Sequence, residues 1–247
     1  MLIFDPKVYG IEESMDASGF PMRDAATPPT HGANSNDERR ARTLAQTPIG
    51  SGHDNFLCGI VVQATITAPR YFFAEFQRYH HVEIVSSTST MHKLRAIVEE
   101  ASRMLYRGDL ELYDKYISSH FCVVTEPRVI CEFFNFAMKW LKDGAEDMDV
   151  LKANLPEGWY QKARISTNYR QLKTIYSQRR SHRLGEWQFF CDWIETLPHS
   201  ELIVGEAEQI QAKPSKAEQS RAKPSKAKKN RAKPSIKREK KEAKNEH

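Results

Sequence analysis

The residues best suited to chemistry fall in three short segments. The first, SGHDNF at residues 51–56, puts His53 and Asp54 after glycines and just before an apolar run. An imidazole beside a carboxylate can hold a ligand there, but small polar residues before a strand also build ordinary turns. The second, RYHHVEIVSSTSTMH at residues 78–92, gathers Arg78, Tyr79, His80, His81 and His92 with the hydroxyls of Ser86, Ser87, Thr88, Ser89 and Thr90. Such a set can donate many hydrogen bonds to an anion, and a nucleotide phosphate suits it. The competing reading is a polar loop in which Ser89 or Thr90 caps the helix that follows. The third, STNYRQLKTIYSQRRSHRLGEW at residues 166–187, carries Asn168 and Arg179 eleven residues apart, with Arg170 and His182 flanking them. On a helix that spacing is about three turns, so both point the same way, with Ile175 between them. The face could hold a planar phosphorylated ligand or could be a charged outer surface. No metal site is expected, because adjacent His80 and His81 lack chelating spacing and the four cysteines form no CxxC pair.

These segments need elements to position them. Residues 59–67, GIVVQATIT, have the β-branched content and length of a strand. Phe72, Phe73, Phe76 and Tyr79 then recur at helical spacing after Pro69. Residues 82–90 lead into a helix with Leu94, Ile97, Val98, Ala101 and Leu105 on one face. CEFFNFAMKWL reads as a buried helix, although residues 106–150 as a whole leave strand and helix hard to separate. Residues 165–197 form the longest periodic stretch and read as helical, divided at Gly185. Residues 14–50 show neither period and read as a long loop, with one helical turn in DERRARTLAQ.

The expected fold class is α+β (mixed α/β), a single domain with a central sheet flanked by helices, plus a disordered C-terminal tail. The expected division is a mobile N-terminal arm and loop at residues 1–50, the domain at 51–205 and a basic repeat tail at 206–247. The net charge of +5 hides this division: residues 211–247 hold 14 Lys and Arg against 4 Glu, leaving 23 basic and 28 acidic residues elsewhere. Repeats of QAKPSKAEQS type begin at Gln211, Arg221 and Arg231, and prolines at 214, 224 and 234 interrupt any helix. Such a tail suits non-specific nucleic-acid binding through counterion release. The start of the chain does not read as a signal peptide, and no apolar run reaches a membrane span, so a cytoplasmic protein with no membrane partner is expected.

Taken in order, the three segments resemble the flavin-dependent thymidylate synthase family. Residues 52–69, GHDNFLCGIVVQATITAP, keep the His-to-Pro spacing of the family's Gly-His-Glu-like start. Residues 168–179, NYRQLKTIYSQR, keep the Asn, the Arg two on, the Leu four on and the Arg eleven on of its later helix. The signature between them, RHRxxSxNxxSxRY, is kept in part. Setting Ser89 on its second serine aligns Tyr79-His80-His81 with RHR, whereas setting Arg78 on its first arginine requires one inserted residue. In either register at least one arginine becomes His or Tyr, and the final Arg-Tyr becomes Met91-His92.

The resemblance implies a homotetramer of α/β subunits that binds FAD and dUMP between subunits. It also implies methylenetetrahydrofolate and NADPH as co-substrates. His53, Arg78, Tyr79, His80, His81, Asn168, Arg170 and His182 would line the flavin, and Ser87, Ser89 and Arg179 would face dUMP. No catalytic residue is assigned, since flavin chemistry does not require an activated protein nucleophile. The implied activity is methylation of dUMP or a related pyrimidine nucleotide. Two alternatives are a relative that binds nucleotide or flavin without turnover and a nucleic-acid-associated protein acting through its tail.

Overall fold

Two central strands, β2 (Val61–Pro69) and β4 (Tyr160–Asn168), run antiparallel in an unbroken register from Val61↔Asn168 to Pro69↔Tyr160. Each alternates with period 2. Val62, Ala64, Ile66 and Ala68 on β2, with Ala163, Ile165 and Thr167 on β4, are buried, while the residues between them are at least partly open. Edge strand β1 (Leu2–Tyr9) pairs with β2 and edge strand β3 (Glu83–Ser87) with β4, both antiparallel, giving the order β1-β2-β4-β3. The structure is a computed structural model and describes residues 1–26, 28, 32–144 and 147–205. The expectations for the basic tail lie outside the described residues.

Helices α1 (Ile11–Ala17), α2 (Ser35–Ala45), α3 (Arg70–Phe76), α8 (Tyr169–Arg179), α9 (Gly185–Glu195) and α10 (Glu201–Val204) share the first core with the sheet. At its centre Phe72, Phe76, Trp187 and Phe190 pack ring against ring, with Phe72 and Trp187 centroids 4.7 Å apart. Between β3 and β4 the chain inserts α4 (Thr90–Tyr106), α5 (Leu110–Ser118), α6 (Pro127–Lys142) and α7 (Met148–Ala153), which build a second core. On α6, Pro127 opens the first turn and Ile130, Phe133, Phe134 and Ala137 form the buried stripe. The described residues, up to Gly205, belong to one compact unit. This is the expected mixed α/β class with a central sheet and flanking helices.

Three local expectations need correction. Residues 14–50, read as a loop or mobile arm, contain the end of α1 and all of α2, and β1 before them completes the sheet. On α2 the side chain of Asn34 accepts from the Asn36 and Asp37 amides, and Asp37 Oδ2 accepts back from the Asn34 amide at 3.1 Å. That capping box, with Ala41 and Ala45 buried, stabilises a helix poor in large apolar residues. The turn between β1 and α1 needs Gly10 at φ 75°, where a Cβ would lie 2.7 Å from the Gly59 carbonyl oxygen. Second, residues 165–168 belong to β4 and not to a helix. Third, α3 ends at Phe76, so Tyr79 lies beyond the helix that its spacing suggested.

Candidate functional site

Most residues singled out by sequence converge at one end of the sheet, where β2 begins, β4 ends and β3 begins. Asn168 closes β4, and its Oδ1 accepts from the Gln171 amide at 2.9 Å, so it caps α8 instead of lying on its face. Arg170 and Lys173, three residues apart in the first turns of α8, present one face to the loop ahead of β2. There Asp54, fully buried, accepts from Lys173 Nζ at 2.8 Å and from Arg170 Nε at 3.2 Å. Lys173 also donates to the Thr47 carbonyl at 2.8 Å. This ionic lock fixes the loop that carries His53, which is itself exposed. The turn holding Arg78, His80 and His81 reaches the same end of the sheet, because the His81 carbonyl accepts from Thr167 Oγ1 at 2.8 Å. The side chains of Arg78, His80 and His81 are all exposed.

The far end of α8 holds a second cluster. Arg179 Nε donates to the Tyr79 hydroxyl at 2.8 Å, which in turn donates to Gln178 Oε1 at 3.2 Å. Arg179 Nη1 lies 3.4 Å from Glu75 Oε2, and its Cζ sits 4.6 Å above the Trp187 ring centroid. Trp187 Nε1 donates to Glu75 Oε2 at 2.9 Å, and the His182 ring lies beside the same indole at 6.4 Å. His182 Nδ1 accepts from the Leu184 amide at 3.2 Å.

Ser87 and Ser89 lie at the opposite end of the sheet, since Ser87 pairs with Ala163, five residues before Asn168 on β4. At about 3.3 Å per residue this is roughly 16 Å. Ser87 Oγ accepts from Gln161 Nε2 at 3.1 Å, and Ser89 caps α4 by accepting from the His92 amide at 3.3 Å. Thr88, Ser89 and Thr90 edge an open groove of about 520 Å³, with Lys93, Lys162 and Tyr160 also on its wall. His120 lines the same groove, stacked on Trp159 at 5.1 Å with the planes 7° apart. Burial pushes the His120 imidazole below its ordinary pKa, and among the described residues its buried Nε2 has no hydrogen-bond partner. One chain therefore unites His53, the residue 78–81 turn, Asn168 and Arg170, and leaves Ser87 and Ser89 apart from them.

The sequence reading missed Asp54 as a structural anchor, Lys173 as its partner, and Glu75. Asp54 was legible as the acid following His53; its partner 119 residues away was not. Among the described residues no cluster of three or more His, Cys, Asp or Glu is arranged to hold a metal ion. No described helix is long and apolar enough to cross a membrane.

This arrangement of sheet and helical insertion is a ThyX-like fold, that of the flavin-dependent thymidylate synthases. One solved structure, flavin-dependent thymidylate synthase ThyX from Helicobacter pylori complexed with FAD and dUMP, superposes with a TM-score of 0.63. It is 15% identical, over 84% of this chain and 99% of that one. A second structure of the H. pylori enzyme with FAD and dUMP gives 0.60 at 15% identity, over 84% and 98%. The UMP/dUMP methylase PolB from Streptomyces cacaoi, bound with 5-Br dUMP, gives 0.50 at 14% identity, over 78% and 87%. No protein-family model and no curated protein matches the chain by sequence.

Proposed function

We propose that this protein is a flavin-dependent methyltransferase acting on dUMP or a related pyrimidine nucleotide, with methylenetetrahydrofolate as one-carbon donor and NADPH as hydride source. The observation that carries the reading is the fold likeness over 99% of the H. pylori chain. It is supported by the convergence of His53, the residue 78–81 turn, Asn168 and Arg170 at one end of the sheet. The donor set suits FAD: Arg78, His80 and His81 are exposed on the turn whose His81 carbonyl meets Thr167, the neighbour of Asn168, and can donate to phosphate or ring oxygens. His53, Tyr79 and His182 would complete the lining, and Ser87, Ser89 and Arg179 would position the nucleotide. When bound, FAD supplies the redox chemistry, and the protein binds, orients and excludes water.

The roughly 16 Å along β4 between Asn168 and Ala163, the residue that Ser87 faces, gives the assembly a role. A homotetramer would bring the Ser87–Ser89 loop of one copy toward the flavin end of another, as the resemblance implies. Cytoplasmic location and non-specific polyanion binding by residues 211–247 belong to the same proposal. A second reading, a flavin- or nucleotide-binding relative without turnover, is favoured by the engagement of Arg179 with Glu75.

Absorbance of the purified protein near ~450 nm tests the cofactor. Tritium release from 5-labelled dUMP, with folate donor, NADPH and FAD, tests turnover. The reading expects both. A protein that takes up no flavin overturns it, whereas flavin binding without tritium release moves the assignment to the second reading.

A further inference from the structure

Under the proposed function Arg179 meets a nucleotide phosphate, yet its guanidinium already faces an anion. Glu75 Oε2 lies 3.4 Å from Nη1 and is itself held by Trp187 Nε1 at 2.9 Å. The Tyr79 hydroxyl fixes Nε at 2.8 Å, and the indole of Trp187 lies under the guanidinium. Glu75 comes from α3, Arg179 from the end of α8 and Trp187 from α9, so three helices set the pair. The Trp187 side chain is fully buried, while Arg179 and Glu75 keep 20% and 32% of their side-chain surface, so a solute can reach them.

We propose that the Glu75 carboxylate occupies the anion position of Arg179 and competes with the ligand's phosphate for that guanidinium. Residue 75 thereby sets the affinity of this site for phosphorylated pyrimidine nucleotides. The inference rests on the nucleotide-binding reading above. A guanidinium fork suits a carboxylate or a phosphate, and Glu75 already stands at Nη1, so a phosphate that takes both ends of the fork must displace it there. The two anions also repel, and a half-buried position screens that repulsion weakly. A glutamine at 75 keeps the shape and the oxygen that accepts from Trp187, but carries no charge.

The test is calorimetric titration of the full-length protein and of Glu75→Gln with UMP, dUMP and uridine. The substitution should tighten UMP and dUMP binding by about tenfold or more, leave uridine unchanged, and lose its gain in the double variant E75Q/R179A. Thermal melting checks that each form is folded; E75M, also uncharged and of similar length, replaces E75Q if that variant melts early. Equal dUMP affinity in wild type and E75Q overturns the competition and leaves the nucleotide reading standing. An equal gain for uridine assigns the effect to packing and also overturns the competition. Absence of binding by every form to all three ligands overturns both.

Discussion

Replacing Asp54 by alanine should be among the most damaging single changes in the chain. The Asp54 side chain has no exposed surface, and its principal partner, Lys173, keeps only 11% of its own. Alanine would leave the Lys173 ammonium with the Thr47 carbonyl as its only described acceptor. Removing one partner of a buried ion pair costs about 3–5 kcal/mol. The Arg170 contact, on a side chain 31% exposed, adds at most about 1 kcal/mol. For a chain of this size each kcal/mol shifts Tm by about 2–4 °C, so the loss should be about 6–24 °C. Asp54→Asn, which keeps the acceptor without the charge, should fall between alanine and wild type. The double variant D54A/K173M removes the stranded cation and should recover part of the loss, a coupling that a double-mutant cycle isolates. Urea titration with circular dichroism gives the free energies, and calorimetry the Tm. If D54A lies within about 1 kcal/mol of wild type, the two cations find other partners and the lock is not what fixes the loop.

Trp187→Ala removes the buried ring that packs against Phe72, Phe76 and Phe190, and should cost about 3–5 kcal/mol in urea denaturation. Ser89→Ala loses the α4 cap and should cost about 0.5–2 kcal/mol, while Ser89→Asp, which can still cap, should not. Burial pushes the Cys191 thiol up to about 12, and burial likewise raises the Tyr71 and Tyr169 hydroxyls. The folded state then holds these protons where the unfolded chain releases them. The contribution of these groups to stability should be flat below the ordinary thiol pKa and fall as pH rises above it toward about 12, which melting curves across that window would show. In the native protein exposed Cys58 should alkylate readily with iodoacetamide at pH 8, and buried Cys122 and Cys191 only on unfolding, as peptide mass spectrometry can follow.

Elements whose stabilisation is local could be read from the chain alone. The β-branched run before Pro69, the serine cap ahead of α4 and the stripe of α6 each carry their signal within one element, because period and capping act between near neighbours. The capping box of α2 was present in the same form, but without large apolar residues the helix left no periodic trace. On β4 the helical period that follows Asn168 masked a clean alternation of Ala163, Ile165 and Thr167 with Arg164, Ser166 and Asn168. Strand β1 has a mixed pattern broken by a register shift between Phe4 and Lys7, and it is a strand because β2 offers it an edge. The site divides in the same way. The residue types His53, Asn168 and Arg170 could be picked out by order and spacing, but Asp54 meeting Lys173 and Glu75 meeting Arg179 could not. A charged side chain's partner is set by which faces the sheet and helices bring together. Over separations of a hundred residues and more, only tertiary packing determines that.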